Sequence, residues 1–161
     1  MAIRIRLNGV WRTGNAVPGQ TLLDFLRNEL HSTEVKHGCG RGDCGACSVM
    51  LNGQLVDSCL VLALQADEAD VLTAAGLGTQ ECPDRIQKAF VDNGAIQCGF
   101  CTPGMVIATK ALLDAAPAPS EEQIRRGLSG NLCRCTGYRK IVAAVQDAAR
   151  ERSNGPPPWE E

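Results

Sequence analysis

Along the first residues apolar and charged side chains alternate: Ile3, Ile5 and Leu7 stand between Arg4 and Arg6, the two-residue period of a half-buried strand. Asn8-Gly9 follows, and an Asn-Gly pair after such a run is a strong hairpin signal, so residues 3–17 read as a β-hairpin. From Leu22 the period lengthens. Leu22, Leu23, Phe25, Leu26 and Leu30 share one face of a helix over about 22–30, with Thr21 placed to cap it and Asp24 at the capping-box position. Strands are expected again at 46–51 and 54–60, joined by a second Asn-Gly turn at Asn52-Gly53, and a short one around Val71-Leu72-Thr73. Together these elements predict a small mixed sheet carrying one helix, an α+β arrangement.

Beyond Ala74 the two-residue period gives way to 3.6. Gly76, Gly78 and Thr79 mark a linker. Pro83 suits the first turn of a helix that buries Ile86, Ala89 and Phe90 and stops at Gly94. Thr102-Pro103 opens a second helix by the same device, with Met105, Val106, Ala108, Thr109, Leu112 and Leu113 as its stripe, and Pro117 and Pro119 end it. Ser120-Glu121-Glu122-Gln123 is a capping box for a third, through Ile124 and Leu128. A fourth begins near Arg139 and presents Ile141, Val142, Val145, Ala148 and Ala149. Four short helices with short connections predict a compact bundle. The run Gly155-Pro156-Pro157-Pro158-Trp159 cannot be helical and is expected to be disordered or to lie along a partner. The division that follows is a first domain at 1–75, a linker at 76–82, a helical domain at 83–152 and a tail at 153–161.

Charge changes this picture little. Sixteen basic and 18 acidic residues give a net charge of −2, scattered without blocks, which argues against nucleic-acid or membrane-surface partners. The N-terminus has no apolar signal region, Arg125-Arg126 is internal, and no apolar run approaches the roughly 20 residues that span a bilayer, so the expected location is cytoplasmic. In a reducing compartment nine cysteines are metal ligands more readily than disulfides.

Eight of them fall into two sets. Cys39, Cys44, Cys47 and Cys59 follow the C-x4-C-x2-C pattern with a distant fourth, the plant-ferredoxin type of [2Fe–2S] ligation. Four glycines among residues 38–47 let the loop curl and aim backbone N–H groups at sulfur. Zinc is the competitor, but structural zinc sites favour two knuckle-like pairs, and here three ligands crowd one loop. The second set is Cys98, Cys101, Cys133 and Cys135. Cys98-x2-Cys101 alone fits half a zinc knuckle or a redox dithiol; Cys133-x-Cys135 is too tight for a knuckle and suits a compact cluster. Each pair precedes a predicted helix, whose positive end would face an anionic thiolate cluster. Cys82 fits neither set and is read as a free thiol. His31 and His37 are read as surface residues because both sets are already complete, Asp43 as a solvated turn residue, Arg41 and Arg134 as either surface or cluster-tuning charges, Phe100 as packing, and Tyr138 as packing near the second set or capping the last helix.

GCGRGDCGACSV, QCGFCTPGM and GNLCRCTGY, in that order, resemble the motifs of the small two-cluster [2Fe–2S] subunit of the xanthine dehydrogenase and aldehyde oxidoreductase family of molybdenum hydroxylases, which includes aerobic carbon monoxide dehydrogenases. The likeness runs over about residues 3–150. It implies an N-terminal plant-ferredoxin-like β-grasp domain followed by a C-terminal four-helix bundle domain. It implies that Cys39, Cys44, Cys47 and Cys59 hold an outer cluster nearer a flavin, that Cys98, Cys101, Cys133 and Cys135 hold an inner one, and that Gln97 and Cys135 lie against the pterin of a large partner subunit. The cofactors so implied are two [2Fe–2S] clusters here, molybdopterin as its cytosine dinucleotide on the large subunit, and FAD on a medium subunit. Before the first loop the family often has a glycine-threonine turn, and this chain has Ser32-Thr33-Glu34-Val35-Lys36. No nucleophile, acid–base pair, GxGxxG or P-loop is present, so the chain reads as an electron-transfer subunit without a catalytic site of its own; the alternative is a free-standing two-cluster ferredoxin.

Overall fold

A computed structural model describes residues 1–151; the tail at 153–161 and Arg152 lie outside the described residues. Strands β1 (Ala2–Leu7), β2 (Val10–Asn15), β3 (Ser48–Leu51), β4 (Gln54–Asp57) and β5 (Asp70–Leu72) form one sheet in the order β2-β1-β5-β3-β4. The pairing of β1 with β5 is parallel and the other three pairings are antiparallel, so the sheet is mixed as expected. Both Asn-Gly pairs turn in the left-handed region, with φ of 51 and 82 at Asn8 and Gly9 and 49 and 79 at Asn52 and Gly53. Positive φ at both central residues matches the strand twist on either side of a two-residue hairpin. Ile3, Ile5 and Leu7 are buried, while Arg4 and Arg6 reach solvent and pair with Glu68 and Asp70.

Thr21 caps α1 (Leu22–Asp24): its Oγ accepts the Asp24 N–H at 3.0 Å and donates to the Asp24 carboxylate at 2.8 Å. The helix then widens into a π turn, Phe25–Glu29, in which the Leu30 N–H reaches back to the Phe25 carbonyl at 3.2 Å. The second hairpin is shorter than expected. β4 ends at Asp57, and Cys59 sits on a 3-10 turn, Ser58–Leu60, whose Ser58 hydroxyl donates to the Cys47 carbonyl at 2.7 Å.

The helical part comprises α2 (Arg85–Asp92), α3 (Thr102–Ala115), α4 (Glu121–Gly127) and α5 (Arg139–Arg150). Two starts differ from the expectation. Pro83 lies before α2, whose cap is Asp84: its carboxylate accepts the Ile86 N–H at 2.8 Å while Gln87 accepts the Asp84 N–H at 2.9 Å. Thr102 is the first residue of α3, and Cys101 takes the cap position without a side-chain cap bond. The Ser120–Gln123 box at α4 forms as expected.

Two cores result. Ile3, Ile5, Leu22, Phe25, Leu26, Val49 and Val71 pack between the sheet and α1, and Phe90, Met105, Ile107, Leu113, Ile124, Ile141 and Val145 pack among the helices. The two-residue period of β3 sends Val49 to the first core and Met50 to the second, so the sheet is covered on both faces and α3 lies against β3. Leu77, within the stretch read as linker, is fully buried in the helical core. Among the described residues no helix is long and apolar enough to cross a membrane.

Candidate metal centres

The eight cysteines come together in four pairs. In the first loop the Cys39 N–H donates to the Cys44 sulfur at 3.3 Å, and the Cys39 sulfur accepts the backbone N–H groups of Asp43 at 3.2 Å and Arg41 at 3.4 Å. Those donors, Arg41 first and then Asp43, bring the Cys39 thiol down to about 7 against an opposing desolvation. Cys47 and Cys59, both buried, lie against each other; burial is the larger cause, and the Cys59 thiol a further one, of a Cys47 thiol pushed up to about 11. The Asp57 carboxyl, 3.9 Å from the Cys47 sulfur, is raised by burial as well.

The second set pairs in the same way. The Cys98 and Cys135 sulfurs are 3.6 Å apart, and the Cys98 thiol raises that of Cys135. Burial, and then the neighbouring Cys133, pushes Cys101 up to about 12. At Cys133 burial acts upward but is outweighed by donors: the Thr136 hydroxyl lies 3.1 Å from the sulfur and the Thr136 N–H 3.5 Å, and the thiol is lowered.

This two-by-two arrangement tests which metal group the thiols could hold. Two thiolates on one tetrahedral metal stand roughly 3.8 Å apart when metal–sulfur bonds are about 2.3 Å, and the Cys98–Cys135 separation fits. A single zinc ion would need four ligands converging on one point. Two thiols for each of two irons is what a [2Fe–2S] centre requires, so the donor sets fit that cofactor. Because Cys47 and Cys101 favour their protons at neutral pH, binding the metal must displace them.

Cys39 and Cys44 of the first set and all four thiols of the second line one cleft of about 380 Å³, with Phe100 and Leu132 among its apolar walls; Cys47 and Cys59 are buried behind it. Phe100, expected to be packing, is 48% exposed there. The loops touch directly: the Leu132 N–H donates to the Cys44 carbonyl at 2.9 Å. Gly45, at φ +64, makes the approach possible, for a Cβ on it would meet the Asn131 amide nitrogen and the Gly130 carbonyl oxygen, each at 2.5 Å. Cys101 caps α3, so its helix end does face the second set; Cys133 and Cys135 instead precede α5 by a turn through Gly137 and Tyr138, both at positive φ. The Tyr138 hydroxyl accepts the Cys133 N–H at 2.7 Å and donates to the Asn131 carbonyl at 3.1 Å, so Tyr138 holds this loop.

Gln97 is exposed beside Cys98. Cys82 is exposed, with its N–H on the Thr79 hydroxyl at 3.1 Å. The His37 ring lies over Gly40, and Arg41 pairs with Asp43 at 2.5 Å in solvent. In the segment before the first loop Val35 is buried and Glu34 accepts the Thr73 hydroxyl at 2.7 Å. Asn131, Ser48 and Thr136 were not singled out by spacing, since each acts through partners that a ligand pattern does not specify.

A 2Fe-2S iron-sulfur cluster binding domain matches residues 5–77, and a [2Fe-2S] binding domain matches residues 73–146. The chain is 47% identical over 154 residues to the nicotinate dehydrogenase small FeS subunit of Eubacterium barkeri, covering 96% of this chain and 98% of that protein. It is 43% identical over 157 residues to the xanthine dehydrogenase iron-sulfur-binding subunit of Escherichia coli O157:H7, covering 94% and 96%. The structure is similar to a chain of quinoline 2-oxidoreductase from Pseudomonas putida 86, with TM-score 0.90, 41% identity and 94% of each chain covered.

Proposed function

The chain belongs to the small [2Fe–2S] subunits of the xanthine dehydrogenase and aldehyde oxidoreductase family of molybdenum hydroxylases, and from that premise we propose how its own residues serve an electron-transfer subunit. Each [2Fe–2S] cluster supplies one-electron uptake and release. Cys39 and Cys44 hold one iron of the outer cluster and Cys47 and Cys59 the other; Cys98 with Cys135, and Cys101 with Cys133, hold the two irons of the inner one. The observation that carries this reading is the pairing of thiols within each set, six of the eight lying on the walls of one cleft.

The residues also suggest a direction. Cys98 and Cys135 are exposed, with Gln97 beside them and Ile96, Phe100 and Leu132 exposed nearby, which suits a docked partner rather than water. As the family resemblance implies, Gln97 and Cys135 would lie against the molybdopterin of a large subunit, as its cytosine dinucleotide, and the chain would pass electrons from there through the inner and outer clusters to FAD on a medium subunit or to another acceptor. The same exposed apolar side chains disfavour a free-standing ferredoxin, which would keep this face polar. A ferredoxin-like β-grasp domain at 1–75, a linker at 76–82, a four-helix domain at 83–152, a tail at 153–161 and a cytoplasmic location complete the proposal.

Affinity purification of the tagged chain from its native host tests it. A larger chain with molybdenum and pterin, and a flavoprotein, should co-purify in fixed ratio. A monomeric chain with full iron and no partner would contradict the subunit assignment.

A further inference from the structure

The hydrogen bonds that join the two cysteine-bearing loops single out Asn131. Ligand spacing does not require an amide two residues before Cys133, yet this one is only 4% exposed. Its Nδ2 donates to the Gly45 carbonyl at 2.9 Å and to the Ser48 hydroxyl at 3.1 Å, partners more than 80 positions away in sequence. A carbonyl oxygen only accepts, so the amide nitrogen must face Gly45. The backbone of Asn131 is held from the other side, its N–H on the Leu128 carbonyl at 3.0 Å and its C=O on the Tyr138 hydroxyl, which also binds the Cys133 N–H. One side chain thereby joins the residue after Cys44 to the backbone around Cys133. The surroundings leave it little freedom, because a Cβ on Gly104 would meet the Gly45 carbonyl oxygen at 2.3 Å and the Asn131 amide nitrogen at 3.2 Å.

We propose that Asn131 is a positioning residue for electron transfer between the two centres: its carboxamide fixes the separation of the loop bearing Cys44 from the loop bearing Cys133, and with it their electronic coupling. The inference rests on the ligand assignment proposed above. Transfer between centres weakens steeply with distance, so a shift too small to unfold the protein is visible in rate. Burial without charge suits the task, since a hydrogen-bonded amide fixes geometry without placing a net charge beside either centre.

The test uses the purified native complex and its Asn131→Ala variant. Reduced wild-type complex should give two EPR signals with a spin–spin splitting between them. N131A should keep its iron and both sets of g-values, show a smaller splitting, and pass electrons between the centres severalfold more slowly after rapid photoreduction. Unchanged splitting and rate overturn the proposal, even if Tm falls, because a purely structural role would lower Tm alone. If N131A cannot hold iron, Ser48→Ala decides, since it removes one of the two acceptors of the Asn131 amide; a smaller loss of splitting supports the proposal and none overturns it. Wild-type complex without two reducible centres would remove the ligand assignment first, a failure recognised before any variant is made.

Discussion

Cys39 and Cys133 both accept hydrogen bonds at sulfur, but the donors differ in origin. Those at Cys39 are the backbone N–H groups of Arg41 and Asp43 in a glycine-rich loop, whereas Cys133 has the hydroxyl of Thr136 as well as its N–H. Cys39 gets its donors from a backbone path, which side-chain substitution hardly touches. The inner set sits between a helix cap and a tyrosine-held turn, where single side chains do the work. Two centres with the same donors can thus be tuned by different means, and it is the inner one, beside the exposed Cys98–Cys135 pair, that a partner or a mutation can adjust.

The most severe way to break this comparison is to delete one thiol from each set. Cys101→Ser and Cys44→Ser should each lower iron from about four to about two per chain and abolish one EPR signal while sparing the other. Loss of both signals in either variant would mean that the sets are not separate centres. Next in size is Gly45→Ala. It forces an L-residue into φ +64 and drives its Cβ into the Asn131 amide and the Gly130 carbonyl. Left-handed strain and overpacking together predict a loss of about 2–5 kcal/mol, read as a large fall in the thermal midpoint of the holoprotein. Gly130→Ala, with nothing within 4 Å of the added carbon, is the control and should stay within about 0.5 kcal/mol.

What could be read from the chain beforehand follows the range of the interaction. Thr21, the two Asn-Gly turns and the Ser120–Gln123 box act within four residues, so their chemistry is written locally and the structure has them all. The alternation of Ile3, Ile5 and Leu7 is equally local. Pro83 misled because proline is a strong start signal, and Asp84 with Gln87 beside it carried the actual cap. The end of β4 at Asp57 was illegible, since the turn that delivers Cys59 depends on Ser58 reaching Cys47 across the hairpin. The pairing of Cys98 with Cys135 and the contacts of Asn131 depend on loops far apart in sequence. Spacing identified the candidate thiols; the meeting of the loops is a tertiary fact.

Smaller effects sharpen the contrast. Thr136→Val removes a donor to the Cys133 sulfur, which favours the reduced, more negative centre, so the inner potential should move negative by about 60 mV, a tenfold change for one electron. The outer potential should stay put, and redox titration followed by EPR separates the two. Smallest of all is Arg41→Ala. It deletes the exposed Arg41–Asp43 pair but leaves the Arg41 N–H on Cys39, so the outer potential should change by well under about 60 mV. A larger shift there than in T136V would invert the proposed difference between the centres.

The most direct test of the whole account is metal analysis joined to EPR on the native protein prepared without air. Two binuclear centres predict about four irons per chain, no stoichiometric zinc, and two distinct signals on reduction. Zinc in place of iron, or a single reducible centre with about two irons, would contradict it.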